Sequence, residues 1–148
     1  MKHQKYAFPA ITAFFIIILD QFTKYLIANS LSLGDSIPVI KNIFHITLIH
    51  NTGAAFGILK DSNILLSSVS IAVTLFIFYY IKTQKKIEKI HMVLLGFILG
   101  GTLGNLIDRL FMGYVVDFLD FRIWPVFNVA DSFITVGVLA LVLVMWKK

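Results

Sequence analysis

The chain has 148 residues, 58% of them hydrophobic and only 14% charged, with a mean hydropathy of +0.86. A soluble domain carries roughly 25% charged residues, so the polar shell of an aqueous fold is missing and a bilayer is the expected solvent. The absence of cysteine excludes a disulfide framework, a thiolate metal site and a thiol nucleophile.

Four apolar stretches, at about 6–27, 64–81, 91–110 and 127–146, approach the ~20 residues that cross ~30 Å of hydrocarbon as a helix. The first has a basic start, but Asp20 and Lys24 interrupt its far end and no small-x-small cleavage site follows, so it is expected to stay as a helix. In the connection at 28–63, Ile46 and Leu48 alternate with His45 and Thr47, which predicts a strand over 45–51, and Gly53 and Gly57 follow it. The second span, with Phe76, Phe78, Tyr79 and Tyr80 near its end, carries no charge. A short basic link leads to the third. The connection at 111–126 is aromatic-rich and holds Asp117, Asp120 and Arg122, which predicts an extended or interfacial segment. The expected fold is one domain over 1–148, a membrane all-α bundle of four transmembrane helices, with extracytoplasmic segments at 28–63 and 111–126.

The net charge of +5 is distributed by topology. One side of the membrane would hold Lys2, Lys5, Lys82, Lys85, Lys86, Lys89, Lys147 and Lys148 against the single acid Glu88; the other would hold all seven aspartates. The positive-inside rule then makes both termini cytoplasmic and argues against nucleic acid as a partner, since the bases flank spans instead of forming a patch.

Charges within a span cost at least ~2.5–3.5 kcal/mol near the bilayer centre on insertion scales, so their depth is informative. With this topology Asp20 and Lys24, Asn105 with Asp108 and Arg109, and Asn128 with Asp131 all fall at the outer ends of their helices, and Asp117 lies one short loop before the last. Asp20 and Lys24, at i,i+4, read as a structural ion pair. Asp108–Arg109 also reads as structural, and Asp120 and Arg122 as solvated. Asp35 and Asp61 are loop residues. Asp117 and Asp120 fall short of a cation site without a third ligand, and the four histidines make no ligand set, so no metal or cofactor is expected. Gly96, Gly100 and Gly104 form a small-residue stripe that marks the third span as the central helix. Composition and depth alone do not choose among Asp20, Asp108, Asp117 and Asp131 as reactive groups. A small transporter or proton relay would suit such intramembrane acids, as would a non-enzymatic assembly protein, but the polar groups gather at one interface instead of continuing across the bilayer.

Five short motifs narrow the choice. The chain reads Asp20-Gln21-Phe22-Thr23-Lys24, then Asn51-Thr52-Gly53-Ala54-Ala55-Phe56-Gly57, then Gly104-Asn105-Leu106-Ile107-Asp108-Arg109, Val115-Val116-Asp117-Phe118 and Phe127-Asn128-Val129-Ala130-Asp131. In this order they resemble the motifs D-Q-x-[ST]-K, N-x-G-x-A-F, G-N-x-x-D-R, V-x-D-[FY] and F-N-x-A-D of the lipoprotein signal peptidases. The resemblance implies a small β-structured cradle outside the membrane and an aspartic endopeptidase of the bacterial cytoplasmic membrane, with its active site at the outer face. It would act as a monomer on prolipoproteins carrying a diacylglyceryl-modified cysteine, cleaving on the amino side of that residue, with membrane lipid around it. The catalytic pair implied is Asp117 and Asp131, supported by Asp20, Lys24, Asn51, Gly53, Asn105, Asp108, Arg109 and Asn128. Two neighbouring carboxylates suit peptide hydrolysis, because each disfavours ionisation of the other and the pair can share a proton. Phe56 and the loop at 53–57 are expected to cover the site, with the glycines as hinges.

Overall fold

The computed structural model describes residues 4–53 and 62–146; Ala54, Ala55, Phe56, Gly57, Lys60, Asp61, Lys2, Lys147 and Lys148 lie outside them, and with them the expected cover by Phe56. The described elements are α1 (Gln4–Ser30), β1 (Ser36–Ile40), β2 (Phe44–Asn51), α2 (Asn63–Thr83), α3 (Lys89–Phe111), β3 (Val115–Asp120) and α4 (Val129–Trp146). All four helices are long and apolar enough to cross a membrane. Each span extends the corresponding apolar stretch except α4, which starts two residues after Phe127 because Phe127 is held in a β-bridge with Leu119.

The third span is central, as the glycine stripe predicts: 14 of its 23 residues are buried, against two of the 18 in α4. The outward faces of the other helices carry Phe14, Phe15, Phe76, Tyr79, Leu139 and Leu143, all exposed, the surface expected of a bundle solvated by acyl chains. A small core of Ala13, Ile77, Ile81, Leu95, Ile98 and Leu99 joins α1, α2 and α3.

The stripe works by close approach. A Cβ on Gly100 would lie 2.8 Å from Ile16 Cβ and 2.9 Å from Ala13 Cα, so only glycine admits α1 at this separation. Gly101, off the stripe, does the same for α4, where a Cβ would run into the carbonyl of Ala130. Two adjacent glycines thus let α3 receive a neighbour on each side.

The strand expected over 45–51 is β2, one residue longer at its start, and it is the middle strand of an antiparallel sheet ordered β1-β2-β3. The edge strand β1 was not expected; Pro38 and a fully exposed pattern hide the periodicity of a half-buried strand. β3 pairs with β2 through His45 opposite Asp120 and His50 opposite Val116, with a bulge between Ile46 and Ile49. After β3 the chain turns through Arg122, a non-glycine residue with φ 64°. Asp120 holds that turn: Oδ1 accepts from the Arg122 amide at 2.8 Å and Oδ2 from its Nη1 at 2.9 Å. Asp120 is therefore buried, contrary to the solvated placement expected for it, and also accepts from Thr47 Oγ1 at 2.8 Å; Arg122 is exposed. The turn returns the chain so that Phe127 exchanges backbone hydrogen bonds with Leu119, which sets Asn128 beside Asp117.

Candidate active site

The polar residues of α1, α3, β3 and α4 meet at one end of the bundle. At its base is a buried cluster. Lys24 Nζ lies 2.8 Å from Asp20 Oδ2 and 2.8 Å from Asp108 Oδ2, and all three side chains are at most 4% exposed. The expected i,i+4 pair is thus one half of a triad that also secures α3. Each carboxylate has a further donor: Gln21 Nε2 donates to Asp108 Oδ1 at 2.7 Å, the Val116 amide to Asp108 Oδ2 at 3.2 Å, and the Ala130 amide to Asp20 Oδ1 at 2.9 Å. One buried lysine and two carboxylates therefore tie α1 to α3, to β3 and to the first turn of α4. The glycine stripe permits this, since a Cβ on Gly104 would sit 2.6 Å from Asp20 Oδ2.

Above the triad two asparagines relay its geometry upward. Asn105 Oδ1 accepts from Lys24 Nζ at 2.9 Å, which turns its amide group so that Nδ2 donates to Asp131 Oδ1 at 2.7 Å. Asn128, fully buried, donates from Nδ2 to Asp117 Oδ1 at 2.7 Å and to Asn105 Oδ1 at 3.0 Å. Asn128 and Asp131, expected at the outer end of the last span, form a capping box. The Asp131 amide donates to Asn128 Oδ1 at 2.9 Å, and the Asn128 amide donates to Asp131 Oδ2 at 3.3 Å. The motif F-N-x-A-D is therefore a helix start whose N-cap also reaches across to β3.

Asp117 is the meeting point. It is 2% exposed, with Oδ1 held by Asn128 and Oδ2 accepting from Asn51 Nδ2 at 2.9 Å. Asn51 is held in turn by the Gly53 amide, which donates to its Oδ1 at 2.9 Å. Burial and the neighbouring Asp131 carboxylate push Asp117 up to about 7, against the opposing pull of the Asn51 and Asn128 amides and of Lys24. Asp117 and Asp120, three residues apart on a strand, point to opposite faces and have separate partners, so they form no shared cation site.

Asp117 and Asp131 line a cleft of about 770 Å³ together with Asn51, Gly53, Asn105 and Arg109. Arg109 is half-buried, and its guanidinium makes no hydrogen bond or ion pair with any described residue, unlike the tied Asp108. The rest of the lining is largely apolar and includes Phe121, Trp124, Phe127, Ile134 and Val136. Sequence reasoning missed three contributors: Gln21, whose place within the first motif was the available signal; Asp120; and this apolar wall, foreshadowed only by the aromatic content of 111–126. Of the expected site residues, Asn51, Gly53, Asn105, Arg109, Asp117 and Asp131 border the cleft directly, and Asp20, Lys24, Asp108 and Asn128 do not.

Such a bundle, with a polar cleft opening at one end of four apolar helices, defines a multi-pass membrane protein with a chemically equipped site. Residues 12–147 match the family model described as signal peptidase (SPase) II. The lipoprotein signal peptidase of Halothermothrix orenii is 47% identical over 141 residues, covering 93% of this chain and 94% of that protein. That of Caldanaerobacter subterraneus subsp. tengcongensis is 48% identical over 129 residues, 86% of this chain and 88% of that protein. A bacterial membrane enzyme solved by the in meso method at 2.3 Å superposes with a TM-score of 0.88 at 36% identity, covering 94% of this chain and 87% of that one. The chain belongs to the signal peptidase II family, the lipoprotein signal peptidases, and is a peptidase of lipoprotein signal peptide processing.

Proposed function

We propose that the chain is an aspartic endopeptidase that removes the signal peptide from diacylglyceryl-modified prolipoproteins, with Asp117 and Asp131 as its catalytic dyad. The observation that carries this reading is a shared cleft in which Asp117 is buried, held neutral up to about 7, and joined through Asn128 and Asn105 to Asp131. In the working state the pair holds one proton. The ionised carboxylate takes a proton from water as the water oxygen attacks the scissile carbonyl carbon, and the protonated carboxyl gives its proton to the carbonyl oxygen. The tetrahedral diol then collapses: the C–N bond breaks, the leaving nitrogen takes the proton that the base received, and the proton on the former carbonyl oxygen returns to the dyad. The titration belongs to the pair and not to either residue. Arg109, whose guanidinium makes no hydrogen bond or ion pair with any described residue, is suited to a carbonyl or headgroup oxygen of the substrate. The apolar wall is suited to its acyl chains and to limiting water around the dyad.

On this reading the enzyme works as a monomer in the bacterial cytoplasmic membrane, with both termini cytoplasmic and the cleft at the outer face, where a lipid-anchored peptide presents its cleavage site on the amino side of the modified cysteine. A proton relay is disfavoured by the fixed geometry of the buried charges: Lys24 is held between Asp20 and Asp108, 2.8 Å from each. The test is cleavage of a diacylglyceryl-modified prolipoprotein by the purified protein in detergent. Persisting cleavage in both Asp117→Asn and Asp131→Asn would remove the dyad, and a wild type without cleavage would remove the substrate assignment.

A further inference from the structure

The cleft does not end at the carboxylates. Along α4 its lining continues through Ser132, Ile134, Thr135 and Val136. Thr135 follows Asp131 by four residues, so the two share a helix face, with Thr135 about 6 Å further into the span. Thr135 thus stands one turn beyond the polar end of the cleft, between the apolar side chains of Ile134 and Val136.

Its hydroxyl is unlike the others that face outward on the helices. In hydrocarbon a helix hydroxyl ordinarily closes on the carbonyl four residues before it, because no water is present to bond it. Ser68, exposed on α2, does so with the Ile64 carbonyl at 2.9 Å, and Ser132 does so with the Asn128 carbonyl at 2.9 Å. Thr135 is exposed as well, yet its hydroxyl makes no hydrogen bond with any described residue. It therefore presents an O–H donor to an apolar part of the cleft.

We infer, on the footing of the proposed function, that the Thr135 hydroxyl donates to an ester carbonyl of the substrate's diacylglyceryl group and so contributes to selection of lipidated peptides. The reach agrees. With the scissile bond at the carboxylates, the first acyl carbon lies six bonds beyond the Cα of the modified cysteine, roughly 7 Å at ordinary bond lengths. That is close to the one-turn descent from Asp131 to Thr135. An ester oxygen accepts and never donates, which suits a lone hydroxyl donor. A carbonyl taken into an apolar cleft without a donor is costly, so the hydroxyl lowers the penalty of seating the lipid there. The acyl chain beyond the ester meets Ile134 and Val136.

Cleavage kinetics in detergent on two synthetic signal peptides test this. One carries diacylglyceryl-cysteine, and the other its dialkyl ether analogue, which lacks both carbonyls. Thr135→Val keeps the shape of the side chain and removes the hydroxyl; Thr135→Ser keeps the hydroxyl. On the ester substrate Thr135→Val should raise KM about two- to tenfold with kcat unchanged, the loss of one neutral hydrogen bond made equally in the ground and transition states. Thr135→Ser should retain the wild-type KM. On the ether substrate wild type and Thr135→Val should have the same KM, and both variants should unfold at the wild-type temperature. An unchanged KM for Thr135→Val on the ester would overturn the role of the hydroxyl while leaving the proposed function standing. An equal penalty on ester and ether would assign Thr135 to the peptide or to packing, and would overturn the ester contact. A wild type that cleaves neither peptide would remove the proposed function, and the ester contact with it.

Discussion

Asn128 performs two tasks with one side chain. Its oxygen caps α4 through the Asp131 amide, and its nitrogen grips Asp117. Both are lost in Asn128→Ala, which should cost about 1 kcal/mol of stability as a lost N-cap and a larger loss of turnover, measured by thermal unfolding and prolipoprotein cleavage respectively. On the proposed mechanism Asp117→Asn and Asp131→Asn each lower turnover by at least ~10²–10⁴-fold, the contribution of a positioned acid or base. The pH dependence follows from the shift on Asp117. The rate should fall as pH rises through about 7, where the shared proton is lost. Since Asn51 stabilises the ionised form, Asn51→Leu should move that alkaline limb to higher pH, and an unmoved limb would show that the amide does not tune the dyad. For stability the sign is the same. The fold favours neutral Asp117, so its contribution is full below the unfolded value of about 4, and is lost as pH rises through the folded value of about 7. Comparing the unfolding temperatures of wild type and Asp117→Asn across that window would reveal the slope, which should be shallower in the variant.

At the scale of elements, the spans were legible because each is a near-continuous apolar run, and the glycine stripe because glycine at every fourth position in such a run has few uses besides close packing. Gly100→Val should separate α1 from α3 and cost roughly 1–3 kcal/mol, the usual price of overpacking, read as a lower unfolding temperature in detergent. Less legible were the elements whose exposure breaks the expected pattern. β1 is exposed on both faces, so nothing in its sequence alternates, and β3 is buried on both, so Val115, Val116 and Phe118 alternate no better. Asp120 was misread for a related reason: an acid beside an arginine in a loop looks solvated until the Arg122 turn and Thr47 on β2 enclose it.

Across the whole molecule the Lys24 triad is the tie that fixes the site's geometry. Removing the lysine leaves Asp20 and Asp108 buried without their cation, so Lys24→Met should destabilise by about 3–5 kcal/mol. That the chain belongs in a bilayer and that its polar residues gather at one end of four helices could be read from composition, period and spacing; which acids form the catalytic pair was implied only by the resemblance of five ordered motifs to those of a family. Only the tertiary structure shows where each carboxylate sits and what holds it. It committed Asp20 and Asp108 to Lys24 and brought Asp117 and Asp131 to one cleft. It did so through contacts such as Asp20 to the Ala130 amide, 110 residues apart, and Asn51 to Asp117, 66 apart. Such separations leave no local periodicity to read, because they are set by glycines that let helices touch and by a strand turn that returns Asn128 to Asp117.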